Sequence, residues 1–505
     1  MSAASHPHVA VVGGGISGLA AAERLGRAGV RVSLLEGSSR VGGKLATGEV
    51  AGVGVDIGAE SVLARRREAV ELAERCGLGD QIVHPATAGA FVWTRRRLRL
   101  LPSGTLMGIP GDLRALSRSQ VLTLPELLRV PLDRVLPVEA PQSDVALGTY
   151  VAKRMGHGVV DRLVEPLLGG VYAGHAERIS FEAALPDVFE RVRAGARLLD
   201  VAAAALASGP ATAVGARPAA EREPVFASWQ GGLGRLPEAV ARVSGAQVRT
   251  GVSVRDLVRL VHGWRLEVDG AGSDGRRALD VDAVVLAVPA APAARLLSSV
   301  AAEAAGALAA IPYASVALVT YALCRRDLPS LPTGTGFLVP PSERRLIKAS
   351  TLSSVKWGWL ARQAPDLVFA RVSVGRFGEE RDLHRDDDDL AADGLEELAL
   401  ALGWPQVPRP VDVRVDRWGG ALPQYLVGHR DRVARARRSV AEQPGLAVCG
   451  AAYDGVGIPA CVASGARAAE EVLAWLAASP DASIGLVHAE SAGGGSSAAG
   501  PEGRG

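Results

Sequence analysis

The 505-residue sequence has very little lysine: four residues, at positions 44, 153, 348 and 356, within a total of 56 basic residues. Nearly every positive charge is therefore an arginine. Together with the abundant alanine and glycine, this bias is typical of a genome-wide codon effect, so an arginine cluster alone carries little functional weight. The 54 acidic residues leave a net charge of +2, which gives no case for a nucleic-acid partner.

Cysteine and long apolar runs are also scarce. The four cysteines (76, 324, 449 and 461) show neither metal-ligand spacing nor the pattern of a disulfide framework. His157, His175 and His429 lie in or near motifs, but none has a second histidine or a cysteine at helical spacing, so we expect no metal site. No apolar run reaches the roughly 18 residues of a membrane span, and the first residues lack the pattern of a signal peptide. These absences predict a cytoplasmic protein. Its 48% apolar content is enough for a large core in two or three domains.

The N-terminal region has the pattern of a nucleotide-binding βαβ unit. A buried strand at 9–12 precedes a glycine-rich turn, a helix from 17 to about 28, and a second strand at 30–35 that ends at Glu36. The turn consists of Gly13, Gly14, Gly15, Ile16, Ser17 and Gly18. Such a turn brings helix N–H groups to a pyrophosphate, and an acidic residue about 20 positions later accepts bonds from a ribose. Acidic Glu36 disfavours the 2′-phosphate of NADP.

A second glycine-rich segment lies more than 400 residues away, where 445–450 leads into 454–459. It predicts another strand, turn and helix start that can point a second helix N-terminus at the same ligand. A nicotinamide enzyme needs only the first segment, whereas a flavoprotein with an extended FAD commonly uses both ends of its chain. Two further glycine-rich turns, at 42–44 and 56–61, suit close approach to a flat ring or a phosphate.

Between these segments the pattern changes several times. Residues 113–205 have helical periodicity interrupted by prolines, 203–224 are typical of a mobile connection, and 479–505 have the low complexity of a disordered tail. Leucines at 390–402 predict a helix. Strands are predicted at 225–229, 248–254, 264–268, 283–288, 315–323, 337–339 and 367–374.

These motifs together resemble the FAD-dependent porphyrinogen oxidases of haem biosynthesis, within the flavin amine oxidase superfamily. The resemblance covers roughly residues 8–475, and the most discriminating piece is Trp418 followed by Pro423-Gln424-Tyr425 and Gly428-His429. The bacterial enzymes that act on coproporphyrinogen III are the most similar branch. The other residues carrying the resemblance lie at 11–20, 36, 41–44, 229–237, 284–289 and 453–459.

The resemblance implies an α/β fold in three parts. A Rossmann-type FAD domain is assembled from the discontinuous segments 1–86, 222–297 and 412–478. Residues 87–221 form a helical region that faces the substrate and a membrane or partner, and 298–411 form a substrate domain with a mixed sheet. Residues 479–505 remain a disordered tail.

The resemblance also implies the cofactor contacts. Backbone groups from Gly13 to Gly18 would bind the pyrophosphate, and Val254 would pair with adenine through its backbone. Trp418 would lie against the isoalloxazine ring. Core packing is the alternative role for this residue. The remaining residues are Glu36 and Gly37 at the ribose, Lys44, Gly58, Ala59, Glu60 and Ser61 along the flavin, and Val456, Gly457 and Ile458 at its pyrimidine edge.

The implied reaction is the conversion of coproporphyrinogen III to coproporphyrin III. Three hydride transfers to flavin N5 would remove six electrons, with oxygen as acceptor and hydrogen peroxide released. The substrate is electron-rich, so no catalytic side chain is predicted. Arg65 and Arg66, directly after the glycine turn at 56–61, are the candidate binders of the propionates because guanidinium forks suit carboxylates.

Several alternatives remain open at this point. Protoporphyrinogen IX is the rival substrate, and an amine oxidase, a carotenoid desaturase or a non-catalytic flavin-bound carrier is a rival function. The arginines and leucines of 113–136 suit peripheral contact with a membrane or transient contact with a downstream haem-pathway enzyme, but a core-facing helix has the same pattern.

Overall fold

We analysed a computed structural model that describes residues 6–87, 89–208, 224–270 and 277–479. Most of the predicted connection at 203–224 and nearly all of the predicted tail at 479–505 lie outside the described residues. Both expectations therefore stay predictions.

The described strands are short except for two long ones, at Tyr313–Cys324 and Pro410–Pro423. In chain order they are β1 (His8–Val12), β2 (Arg31–Glu36), β3 (Thr47–Val50), β4 (Val53–Asp56), β5 (Val62–Leu63), β6 (Ile82–Val83), β7 (Phe91–Thr94), β8 (Arg97–Leu100), β9 (Thr105–Leu106), β10 (Ile109–Pro110), β11 (Phe226–Trp229), β12 (Gln247–Thr250), β13 (Val252–Arg259), β14 (Trp264–Gly270), β15 (Arg277–Val281), β16 (Ala283–Leu286), β17 (Tyr313–Cys324), β18 (Gly336–Leu338), β19 (Ile347–Thr351), β20 (Leu367–Val374), β21 (Pro410–Pro423) and β22 (Leu446–Val448).

More than half of the described α-helices lie before residue 209, and the others are spread over the rest of the chain. They are α1 (Ile16–Arg27), α2 (Glu68–Arg75), α3 (Leu113–Ser119), α4 (Leu124–Arg129), α5 (Leu147–Met155), α6 (His157–Val159), α7 (Glu165–Tyr172), α8 (Phe181–Ala184), α9 (Pro186–Arg193), α10 (Leu198–Ser208), α11 (Arg235–Val243), α12 (Ala290–Leu297), α13 (Ala302–Ala309), α14 (Ser353–Lys356), α15 (Gly358–Gln363), α16 (Asp387–Leu402), α17 (His429–Ala441) and α18 (Ile458–Ala478). A π-helical turn at Val160–Val164 joins α6 to α7.

A parallel sheet of five strands forms the centre of the nucleotide-binding part, in the order β12-β2-β1-β16-β22. Side chains of β1 alternate between its two faces: Val9 and Val11 enter the core beneath α1 and α18, whereas Ala10 and Val12 enter the core beneath α12, α13 and α17. Both faces are buried, which explains why these strands are continuously apolar. The predicted Rossmann-type α/β fold is confirmed, with strands from distant parts of the chain.

The second large sheet has seven strands in the order β21-β17-β20-β19-β18-β7-β8 and is mixed, because only β18 and β7 are parallel. Its long edge strand Pro410–Pro423 crosses the domain boundary predicted between 411 and 412. Trp418 therefore belongs to this sheet. The single strand predicted at 248–254 is two strands in the structure. β12 joins the parallel sheet, and β13 joins a separate antiparallel sheet.

The helical region has a core of its own. Residues from α5, α7, α9 and α10 pack there with Tyr425, which follows β21. A left-handed Ala173 ends α7 next to the seven-stranded sheet, where its carbonyl accepts a bond of 2.7 Å from the Phe377 amide. Across the described residues, none of the helices has the length and apolar character that crossing a membrane requires.

Candidate cofactor and substrate cavity

A cavity of about 850 Å³ lies at the carboxyl ends of the parallel strands and extends to the seven-stranded sheet. This position is where ligands bind in open α/β sheets. One end is lined by residues after β1, β2 and β16, and the other by residues of β19, β20 and α7. The sequence-predicted residues in its wall are Gly13, Gly15, Ile16, Ser17, Glu36, Gly37, Lys44, Gly58, Ala59, Val254, Trp418, Val456 and Ile458.

The glycine turn after β1 is packed tightly on one side and open on the other. Gly13 has φ +109°, and a Cβ there would lie 2.6 Å from the Ala287 carbonyl oxygen. A Cβ on Gly18 would overlap the Gly13 carbonyl oxygen, whereas a Cβ on Gly15 would meet no protein atom within 4 Å. Gly13 and Gly18 thus hold the turn together, and Gly15 leaves free space in the cavity wall.

Two helix N-termini point at this cavity. α1 begins after Gly15 and α18 after Gly457, and neither cap residue has a side chain that bonds the first-turn N–H groups. The helices pack closely because Gly465 of α18 has no side chain to overlap the Ser17 carbonyl. Uncapped helix N-termini attract anions. The open space over Gly15 and these N–H groups therefore fit a phosphate-bearing cofactor.

Glu36 closes the same end of the cavity. Its carboxylate accepts bonds from the Gly14 amide (2.7 Å) and the Ser38 amide (2.8 Å). Gly14 does not line the cavity. It packs against Glu36, since a Cβ on Gly14 would meet the Glu36 side chain. Glu36 consequently fixes the glycine turn as well as facing the cavity.

The turn after β4 contains residues that line the cavity and residues that lie behind the cavity wall. Gly58 and Ala59 line the cavity, and the Ala59 amide donates to the Lys44 carbonyl (2.9 Å). Lys44 is partly buried, and this burial lowers the pKa of its ammonium group. Trp418 lies over this turn, where its indole N–H donates to the Ile57 carbonyl (2.9 Å).

Glu60 and Ser61 lie behind this turn, outside the cavity wall. The Glu60 carboxylate accepts bonds from the Trp357 indole (2.6 Å) and the Ser353 hydroxyl (3.2 Å), while the Ser61 hydroxyl accepts one from Lys356 (3.1 Å). Their side chains support the turn, and the structure does not bring them to the cavity.

Arg65 and Arg66 are exposed and do not line the cavity. β5 ends at Leu63, and the chain then leaves the sheet toward α2, where the Arg66 guanidinium pairs with Glu68 at 2.5 Å. The geometry therefore does not support the predicted propionate contacts at these two residues.

The cationic wall residues that sequence reasoning missed are Arg255, Arg295, Lys348 and Arg371. Arg371 donates to the carbonyls of Asp56 (3.1 Å) and Gly58 (2.9 Å) and pairs with Glu60 at 2.9 Å. The strand predicted at 367–374 contained Arg371, but alternation alone does not show which face of a strand meets a cavity formed by a distant segment.

The fold and cavity are those of a Rossmann-type nucleotide-binding protein. A family model described as flavin containing amine oxidoreductase matches residues 16–473. The chain is 38% identical over 472 residues to coproporphyrinogen III oxidase of Mycobacterium leprae, covering 92% of this chain and 98% of that protein. It is 30% identical to coproporphyrinogen III oxidase of Bacillus subtilis, covering 93% and 98% of the two chains.

A solved structure from Exiguobacterium sp. 255-15, provisionally assigned as a protoporphyrinogen oxidase, superposes with a TM-score of 0.79 and 32% identity, covering 93% of this chain and 99% of that one. The chain belongs to the flavin-containing amine oxidoreductase family and, within it, to the porphyrinogen oxidases. It is a flavoprotein, and the predicted family is confirmed.

Proposed function

We propose that this protein is an FAD-dependent oxidase that converts coproporphyrinogen III to coproporphyrin III in haem biosynthesis, using oxygen and releasing hydrogen peroxide. The observation that carries the proposal is the 38% identity to a coproporphyrinogen III oxidase over nearly the full length of both chains. The cavity supports FAD over a smaller flavin, because its wall continues past the turn at Gly58 to Glu36 and Val254.

A bound flavin would supply the hydride acceptor. The chain's own residues would position it: Gly15 and the N-terminus of α1 at the phosphates, and Trp418, Gly58 and Ala59 along the rings. The N-terminus of α18, at Ile458, would stabilise negative charge at the ring edge. In the described part of the wall Glu36 is the sole carboxylate, and it lies at the nucleotide end. The substrate's pyrrole protons would therefore leave to water rather than to a carboxylate base.

The rival functions make different demands on the cavity. An amine oxidase would use an aromatic cage, for which Trp418 and Tyr453 are the candidates. Tyr453 is only 6% exposed and does not line the cavity, so the pair does not form such a cage. Protoporphyrinogen IX stays the closer rival, because it differs from the proposed substrate mainly in having two propionates instead of four.

The substrate assignment predicts a clear preference in steady-state turnover. Purified protein in air is given coproporphyrinogen III, protoporphyrinogen IX or tyramine, while porphyrin fluorescence and peroxide are followed together. We expect the largest kcat/KM for coproporphyrinogen III, with about three peroxides per porphyrin because each flavin cycle removes two electrons. A larger kcat/KM for protoporphyrinogen IX would overturn the substrate, and peroxide from tyramine alone would overturn the reaction class.

A further inference from the structure

The cations in the cavity wall differ in what neutralises them. Arg371 already pairs with Glu60 and donates to two backbone carbonyls. Among the described residues, the Lys348 side chain makes one polar contact, in which its ammonium group donates to the Gly375 carbonyl (2.7 Å). Throughout the described ranges, no carboxylate lies within ion-pair distance of Lys348, and no acidic group contributes to its pKa shift. It is a wall cation without a counter-ion.

The sheet places this lysine at an irregular position. Lys348 lies on β19, where the pairing with β20 shifts register between Ile347 and Ala349. Such irregularities re-aim side chains and are common beside functional sites. Lys348 is 6% exposed, and the wall around it includes Ala349 on the same strand and Gly170 on α7. Lys348 therefore lies in the part of the cavity wall that the seven-stranded sheet forms.

A second positive charge, on Arg376, lies near Lys348. Buried Arg376, which donates to the Val339 carbonyl (2.9 Å), lies close enough to repel it. Burial, with the added repulsion from Arg376, lowers the pKa of Lys348 to about 7.

The nearby carboxylates are occupied elsewhere. Glu165 binds His175 (3.1 Å) and the Ala176 amide, Glu379 lies 3.6 Å from His175, and Glu397 accepts from the Leu346 and Ile347 amides (3.1 and 2.9 Å). These acids face Arg376 and not Lys348. A buried cation in this setting is stabilised when an anionic ligand reaches it.

We propose that Lys348 binds a propionate carboxylate of the porphyrinogen and so positions the macrocycle at the sheet end of the cavity. This inference rests on the proposed function. It assigns the carboxylate contact to a residue inside the cavity in place of the exposed Arg65 and Arg66.

Replacement by methionine separates binding from folding. Lys348→Met keeps the length of the side chain and removes an uncompensated buried charge, so we expect the melting temperature to be unchanged or higher. The KM for coproporphyrinogen III should rise about ten- to hundredfold, with kcat changed much less, because a charge-assisted bond is lost. A residue with a purely structural role would instead lower the melting temperature and leave KM unaltered in the folded fraction.

The pH dependence gives a second readout. Lys348 must be protonated to bind a carboxylate, and its lowered pKa makes the neutral form dominant above about pH 7. The wild-type KM should therefore rise with pH above about 7, and that rise should disappear in Lys348→Met. Lys348→Arg keeps its charge at every working pH, so it should restore affinity at least in part and remove the same rise. His175, whose pKa is raised by its bond to Glu165, is present in all three proteins, so any effect of its protonation on KM is common to them.

The experiment measures KM and kcat from pH 6 to 9 for the flavin-loaded wild type, Lys348→Met, Lys348→Arg and the control Lys153→Met. Lys153 is a surface lysine of α5 with a 59% exposed side chain, so its replacement should leave KM unchanged. Binding of the product coproporphyrin III, followed by its fluorescence, checks affinity without turnover. If the wild type oxidises coproporphyrinogen III but Lys348→Met keeps its KM and pH profile, the assignment of Lys348 is wrong. If the wild type neither oxidises nor binds the porphyrin, the proposed function itself fails.

Discussion

Gly15→Ala should abolish most of the flavin binding while leaving the flavin-free protein folded. Gly15 has φ −69° and ψ 173°, a conformation open to any residue, and a Cβ there would meet no protein atom within 4 Å. The cost to the flavin-free fold should be below about 1 kcal/mol, that of a poorer helix cap. The added methyl group would nevertheless occupy the space over the N-terminus of α1. We expect flavin affinity to fall by about a hundredfold or more, since a phosphate could no longer approach the amides.

The test compares flavin content after purification and the melting temperature of the stripped protein. Gly306→Ala is the matched control, because a Cβ at Gly306 also meets nothing within 4 Å but lies on α13, outside the cavity wall. Gly18→Ala is the opposite case, since its Cβ would overlap the Gly13 carbonyl and damage the turn itself. Wild-type flavin content in Gly15→Ala would show that the cofactor does not bind at the glycine turn after β1.

Glu60→Ala should cause the largest loss of folding stability that we predict, about 3–5 kcal/mol. Glu60 is buried at 7% exposure, 2.9 Å from Arg371 and 3.4 Å from Lys356. Burial alone would raise the pKa of Glu60, but the two cations hold it below its ordinary value. Removing the carboxylate leaves both largely buried cations without this counter-ion. The turn containing Gly58 and Ala59 should loosen as well, so the variant should also retain less flavin.

Urea unfolding of the stripped proteins at neutral pH provides the measurement. Glu68→Ala is a suitable control because Glu68 pairs with Arg66 at 2.5 Å on the surface, where such a pair contributes at most about 1 kcal/mol. The contribution of Glu60 should be present above the pKa of an unfolded glutamate and be lost as the pH falls through its lower folded-state value. Equal destabilisation by the two substitutions would contradict the buried network.

Local patterns were sufficient to predict the nucleotide-binding half. The strand at 9–12, the glycine turn and the strand ending at Glu36 depend on periodicity and backbone freedom within one short segment, and the structure has them within one residue or so. The strand at 367–374 has the predicted bounds for the same reason. Motif resemblance extended the prediction to the family, which the comparisons confirm.

Local sequence patterns could not predict the residues whose role depends on distant segments of the chain. Lys348 and Arg371 reach the cavity only because β19 and β20 lie beside α7 and the turn at Gly58 in the folded chain. Arg65 and Arg66 follow that turn in sequence, but β5 ends at Leu63, and both arginines are exposed outside the cavity wall. Similarly, Trp418 lies on a strand of 14 residues whose pairing with β17 cannot be inferred from its glycines.

The central claim is that FAD bound in this cavity oxidises coproporphyrinogen III. The most direct measurement strips the protein of flavin, adds back FAD in steps, and records bound FAD and the initial rate of coproporphyrin III formation at each step. The claim predicts that the rate rises in proportion to bound FAD. The rate should saturate at about one FAD per chain, because the cavity has a single glycine turn to bind the phosphates. A rate that does not depend on FAD, or no porphyrin from a fully loaded protein, would contradict it.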